Sequence, residues 1–149
     1  MPGIEYVTDR METEELLERL CPPVRNWFID KFPDFTEPQK VAIPRILKGE
    51  HLLLCSPTGS GKTLTAFLTI IDDLVRGALD GTLPDSVQCV YISPIKALAN
   101  DIEKNLLGPL GEIKERFLPS RAKEIKVGLR TGDTPQSERE KMLRKPPHI

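Results

Sequence analysis

Apolar positions along the chain recur at helical spacing in several stretches. Leu16, Leu17 and Leu20 share one face of residues 11–20 under a largely acidic exterior, and Cys21-Pro22-Pro23 stops or redirects that helix. Val24, Trp27, Phe28 and Phe32 line one side of a second short helix, and this spacing favours packing over a base-stacking platform. A third helix begins at residues 35–39, presents Ala42, Ile43, Ile46 and Leu47, is bent by Pro44 and ends near Gly49. Thr36 and Gln39 have capping-box spacing, which gives Gln39 a purely structural explanation. Leu64, Phe67, Leu68, Ile71 and Val75 make the strongest stripe, with Asp72 and Arg76 as a weak i,i+4 pair on its other side. Residues 77–85 read as a surface connection. Leu98, Ile102, Leu106 and Leu110 continue helical spacing until Gly108-Pro109, which should break or kink it. Thr134-Pro135 fits an N-cap followed by proline at N1, opening a charged helix to residue 143.

Between these helices lie apolar runs that read as strands: residues 51–55, 88–93 and 124–130. Residues 146–149 look like the start of a fourth, cut off by the end of the chain. Strands separated by helices of crossover length predict an α/β fold of three layers with a mostly parallel sheet, incomplete at the C-terminus.

The first strand runs into Ser56-Pro57-Thr58-Gly59-Ser60-Gly61-Lys62-Thr63, where the strongest stripe begins. Glycines at 59 and 61 let the backbone curl closely, so that Thr58, Gly59, Ser60 and Gly61 can turn their N–H groups on a phosphate. The helix opening at Lys62 adds unpaired first-turn donors and the positive end of its dipole. Lys62 reaches the β- and γ-phosphates, and the Thr63 hydroxyl is placed to hold Mg2+. A turn whose lysine merely faces solvent explains neither the Gly-Lys-Thr triplet nor its flanks. Ser56 stands where the general pattern has glycine. The loop is not the dinucleotide pattern, since Lys62-Thr63 terminates it.

Composition narrows the class. The chain has 149 residues, enough for one core and no more than one ordinary domain. A formal charge of -1 gives no global field toward nucleic acid, but residues 114–145 carry ten basic against five acidic side chains, so a polyanion would meet that part. Cys21, Cys55 and Cys89 lack metal-ligand spacing and read as buried reduced thiols. His51 and His148 have no paired cysteine or carboxylate motif that would make them ligands or bases. No apolar run is long enough to span a bilayer and the acidic start lacks a signal-peptide pattern, so the expected address is cytoplasmic or nuclear.

Four segments in order carry a family resemblance: Phe35-Thr36-Glu37-Pro38-Gln39, the loop 56–63, Ser93-Pro94-Ile95-Lys96-Ala97-Leu98-Ala99-Asn100-Asp101, and Arg130-Thr131-Gly132-Asp133-Thr134-Pro135-Gln136-Ser137-Glu138-Arg139. Together they resemble the first, RecA-like motor domain of a superfamily 2 helicase, particularly the Lhr-type large helicase-related family. The resemblance implies residues 1–34 as accessory helices and 35–149 as the N-terminal part of the ATP-binding domain. It implies Gln39 as reader of the adenine edge, Phe35 or Phe32 as an adenine contact, and Lys62 and Thr63 as phosphate and magnesium residues. Pro94, Lys96, Ala97 and Leu98, with Thr131, Gly132 and Thr134, then line a nucleic-acid backbone path suited to phosphates more than bases. The acidic hydrolysis motif, the arginine fingers and the second motor domain are expected beyond residue 149, so the chain alone should turn over ATP poorly. Asp101, Asp133 and Glu138 are not assigned to those roles. Two other readings stay open: a P-loop ATPase or transporter motor that does not act on nucleic acid, and a noncatalytic nucleotide-binding interaction module.

Overall fold

The computed structural model describes residues 3–93 and 102–149. Among them the α-helices are α1 (Thr13–Arg19), α2 (Pro22–Lys31), α3 (Glu37–Leu47), α4 (Lys62–Asp80), α5 (Gly108–Phe117) and α6 (Gln136–Arg144). Pro22 and Pro23 open α2 at the helix start, where a missing N–H costs nothing.

The core is built around α4. Its predicted stripe is buried, Phe67, Leu68, Ile71 and Val75 completely or nearly so, and it shares one buried cluster with Leu16 of α1, Val24 and Phe28 of α2, and Ile113 of α5. Each such side chain contributes about 1.5–3 kcal/mol by leaving water, so this face outweighs any surface ion pair. Phe35 stacks on Phe28 with ring centroids 4.0 Å apart. The two N-terminal helices therefore share one core with the helix that follows the glycine loop. None of the described helices is long and apolar enough to cross a membrane.

Several expectations are corrected by packing. Asp72 and Arg76 do pair, at 2.7 Å, but on the buried side: Asp72 is 2% exposed. Its other oxygen accepts the Cys21 N–H at 2.6 Å, and Arg76 also donates to the Arg19 carbonyl, so the pair is a junction between α4 and the α1–α2 corner. The helix runs on to Asp80, past the point where a connection was expected, and ends at Gly81 with φ 71°. Gly77 lies inside the helix, and the Leu83 backbone folds back to 3.3 Å from where a Cβ would lie, which leaves little room for a larger residue there. Gly108-Pro109 does not break its helix. A π-helical turn over Glu103–Leu107 leads directly into α5, with the Gly108 N–H donating to the Glu103 carbonyl, so the ladder widens by one residue around the proline. α6 begins one residue late, with Pro135 at the cap position, because the Thr134 hydroxyl turns back into the preceding turn. Cys55 is exposed; among the predicted buried thiols only Cys21 is fully buried, and Cys89 is half-buried.

The sheet is the largest difference. No regular strand occurs among the described residues. A strand keeps its shape through the N–H and C=O groups of its neighbours. Residues 51–55 have no backbone hydrogen bond to another segment among the described residues, and Leu53, Val90, Ile92 and Leu129 are exposed. Among the described residues, pairing of the expected strands survives only at residues 148–149. Ile149 donates to the Lys126 carbonyl (3.3 Å) and accepts from the Gly128 N–H (2.8 Å), straddling Val127 as a residue does in a parallel ladder. On the other side the His148 carbonyl accepts the N–H groups of Gln88 and Cys89.

Candidate functional site

The glycine loop sits where three elements meet. Gly59 and Gly61 both have left-handed backbones, φ 80° and 84°, which side-chain-bearing residues rarely adopt. Gly61 is doubly constrained: a Cβ there would lie 2.7 Å from the Gln39 amide nitrogen, whereas one at Gly59 would meet nothing within 4 Å. The Ser56 and Ser60 hydroxyls are 2.6 Å apart and close the loop internally. Lys62, at the first position of α4, curls back over the loop and donates from Nζ to the carbonyls of Ser56 and Pro57, the latter at 2.7 Å. Thr58 and Gly59 are exposed at the tip; Ser60, Gly61, Lys62 and Thr63 are half-buried at its base. A recess of about 520 Å³ opens beside Lys62 and Thr63, with Glu50, His51, Thr65 and Tyr91 on its wall.

α3 supports this loop through its capping residues. The box forms: the Thr36 N–H donates to Gln39 Oε1 at 2.9 Å. Both side chains also reach the loop, Thr36 Oγ1 donating to the Ser60 carbonyl at 2.9 Å and Gln39 Nε2 to the Gly61 carbonyl at 3.5 Å. Gln39 is 3% exposed, so the cap and the loop contact account for where its amide lies. Phe35 is buried in its stack, whereas Phe32 is 36% exposed at the end of α2. α3 is itself tied down from the N-terminal side by Asp34, whose carboxylate accepts from Thr13, the Phe35 N–H and Lys40, and is held below its usual range chiefly by the Thr13 hydrogen bond and then by Lys40.

The second expected contact region is the turn 131–134. Thr131 N–H donates to Thr134 Oγ1 (2.7 Å), Asp133 N–H to Thr131 Oγ1 (3.2 Å) and Thr134 N–H to the Thr131 carbonyl (3.3 Å). Three of the turn's backbone donors, those of the expected contacts Thr131 and Thr134 and of Asp133 between them, are therefore used inside the turn. What remains is the Gly132 N–H and hydroxyl hydrogen: each threonine oxygen already accepts an N–H, leaving its O–H to donate. Arg139, one turn into α6, donates Nε to the Thr134 carbonyl (2.8 Å) and Nη2 to those of Gly132 (3.1 Å) and Thr131 (3.3 Å). Pro94, Lys96, Ala97 and Leu98 lie outside the described residues.

Sequence reading missed the support of these sites. The Thr36–Ser60 bond joins residues 24 apart with no periodic signal, and Arg139, which closes the last of the family segments, has no role that the sequence assigns. His148, which has no ligand or base motif in the sequence, is 0% exposed and accepts the Lys126 N–H on Nδ1 at 2.9 Å, a structural role with no sequence signal. Burial pushes its pKa down, as do Lys123 and Lys126, against an opposing pull from Asp85. Among the described residues no group of three or more His, Cys, Asp or Glu side chains is placed to hold a metal ion.

Comparison with known proteins decides the class. A profile of the DEAD/DEAH box helicases matches residues 36–149. The chain belongs to the DEAD/DEAH box helicase family. Among helicases of this kind, the ATP-dependent helicase Lhr-Core of Methanocaldococcus jannaschii is 45% identical over 100% of this chain and 18% of its own length. Lhr-Core of Methanothermobacter thermautotrophicus is 54% identical over 95% of this chain and 17% of its own length. The solved structure of Mycobacterium smegmatis helicase Lhr bound to ssDNA and AMP-PNP matches with a TM-score of 0.72 at 42% identity, covering 88% of this chain and 16% of that one. The expected likeness to Lhr-type helicases therefore holds. The chain spans less than a fifth of the length of these relatives.

Proposed function

We propose that the chain is the ATP-binding portion of an ATP-dependent nucleic-acid helicase or translocase. Residues 35–149 form the N-terminal part of its RecA-like motor domain and residues 1–34 an accessory helical pair. In that domain, residues 51–55, 88–93, 124–130 and 146–149 are strands of a mostly parallel sheet, a reading supported by the Val127–Ile149 register. The observation that carries the proposal is the convergence on one loop of Lys62, left-handed Gly59 and Gly61, and the Thr36–Gln39 box of α3.

The donor set fits a triphosphate. Thr58, Gly59, Ser60 and Gly61 contribute backbone N–H groups, the 19-residue α4 contributes the positive end of its dipole, and Lys62 exchanges two loop carbonyls for phosphate oxygens. A carbonyl carries a partial charge and a phosphate oxygen nearly a full one, so the exchange favours the ligand. Thr63 would hold Mg2+, which neutralises charge on the phosphates when bound. Gln39 retains one N–H and one oxygen lone pair beyond its present bonds, the pair an adenine edge requires. Phe32, with its partly exposed ring, is better placed than buried Phe35 to lie against a base. Thr131, Gly132 and Thr134, with Pro94, Lys96, Ala97 and Leu98, form the path for a single-stranded or partly duplex DNA or RNA, completed by the rest of the helicase and its second RecA-like domain. The ssDNA bound by the M. smegmatis relative supports this assignment.

Calorimetry with MgATP tests the proposal. Lys62→Ala should weaken binding at least about tenfold while changing stability by less than about 0.5 kcal/mol, as expected for a side chain whose partners lie at the surface. A folded variant that binds MgATP as tightly as the parent would overturn it.

A further inference from the structure

Resting on that reading of the 131–134 turn as a strand contact, we infer that Arg139 is the positioning residue that holds the turn in its binding conformation, without itself contacting the strand. Three carbonyl oxygens, those of Thr131, Gly132 and Thr134, converge on one guanidinium at 2.8–3.3 Å. Without Arg139 the Thr131 carbonyl keeps only the Thr134 N–H and those of Gly132 and Thr134 lose their side-chain donor, so the three converging oxygens repel one another and a phosphate as well. The guanidinium donates to all three from Nε and Nη2 and gathers these acceptors of the turn on its own side. With the acceptors gathered there, the Gly132 N–H and at least one threonine O–H are left as donors. The two hydroxyl oxygens are 3.4 Å apart, so one O–H at most is engaged between them.

The bonds inside the turn fix its local shape, and Arg139 ties that shape to the helix that follows. α6 has no fully buried residue, and its apolar contact is limited to half-buried Met142 beside Gly128, at the far end of the helix from the turn. Arg139 is half-buried, whereas its neighbours Glu138 and Glu140 are exposed. Lysine would keep the charge but offers a single tetrahedral ammonium in place of a planar fork, and it cannot span three carbonyls in this arrangement.

This separates positioning from phosphate contact. Fluorescence anisotropy of a labelled oligothymidylate and oligouridylate, each titrated with this chain across several salt concentrations, reads both affinity and its salt dependence. For Arg139→Lys we expect at least fivefold weaker binding to both strands, an unchanged slope of log affinity against log salt, and unchanged MgATP affinity. If Arg139 touched a phosphate directly, Arg139→Lys would bind like the parent and Arg139→Gln would lose about 0.7 of the slope; either result overturns the inference and leaves the helicase reading standing. A parent chain that binds neither strand would overturn the helicase reading and the inference together. Amide hydrogen exchange gives a check independent of any strand. The Thr131 N–H, protected by Thr134 Oγ1, should lose that protection in Arg139→Lys while the amides of α4 keep theirs. Retained protection at Thr131 overturns the inference.

Discussion

The loop 56–63 and the turn 131–134 share a device and differ in what stands behind it. Each leads into a helix, and in each a cation from that helix folds back onto loop carbonyls: Lys62 onto Ser56 and Pro57, Arg139 onto Thr131, Gly132 and Thr134. Behind Lys62, however, α4 is buried along its length and α3 braces the loop through Thr36 and Gln39. Behind Arg139 lies a helix with no buried residue. Where tertiary packing sets a loop's geometry, the cation is free to exchange its carbonyls for a ligand. Where no helix residue is fully buried, the attachment we infer is the cation itself.

The comparison breaks first if α4 is not anchored as described. Asp72→Ala removes a carboxylate that satisfies both Arg76 and the Cys21 N–H, and it should cost about 3 kcal/mol in urea unfolding, near the lower end for a broken buried pair because Arg76 is partly solvated. A loss below about 1 kcal/mol would mean that the junction does not fasten the N-terminal helices to α4. The glycines sharpen the contrast. Gly61→Ala must adopt a left-handed backbone and displace the Gln39 amide, so a loss of about 2 kcal/mol is expected. Gly132→Ala meets nothing within 4 Å and should stay within about 0.5 kcal/mol. Equal effects on melting at the two positions would erase the difference between the loops.

The smallest effect is a pH dependence at the base of the second turn. His148 holds the Lys126 amide through an unprotonated Nδ1, and its pKa is lowered from 6.5 in the folded chain. The native state then binds fewer protons than the unfolded one, so stability falls as pH drops below about 6.5 and goes on falling until the lowered value is passed. Lys123 and Lys126 oppose protonation there and Asp85 favours it. Melting should decline by a few degrees between pH 7 and 5, and His148→Asn, which keeps an acceptor but cannot titrate, should flatten the decline. Parallel curves for the two proteins would exclude His148 as the cause.

The helices were legible because burial imposes a period on sequence. Leu64, Phe67, Leu68, Ile71 and Val75 announce both the helix and its inner face. The glycine loop was legible for a related reason, since left-handed backbone at 59 and 61 selects a residue type. Asp72 was misplaced because a carboxylate on a helix is ordinarily solvated, and only the Cys21 amide, 51 residues away, accounts for its burial. The expected strands carry strand-like composition, but pairing is a property of neighbours; of the described residues only 148–149 supply it, to residues 88–89 and 126–128. Arg139 closes the last family segment, but its role is not legible there because a guanidinium bonded to carbonyls looks, in sequence, like any solvated arginine.

The three thiols follow the same division of the molecule. Cys21, buried at the Asp72 junction, has its thiol pushed up to about 12, chiefly by burial, and Cys89 is also raised by burial. Cys55 is exposed and lies directly before Ser56. Because alkylating reagents attack the thiolate and need access to it, a maleimide dye should enter at Cys55 first and at Cys21 last. The chain thus carries, without any engineered substitution, an optical reporter position one residue from its phosphate loop.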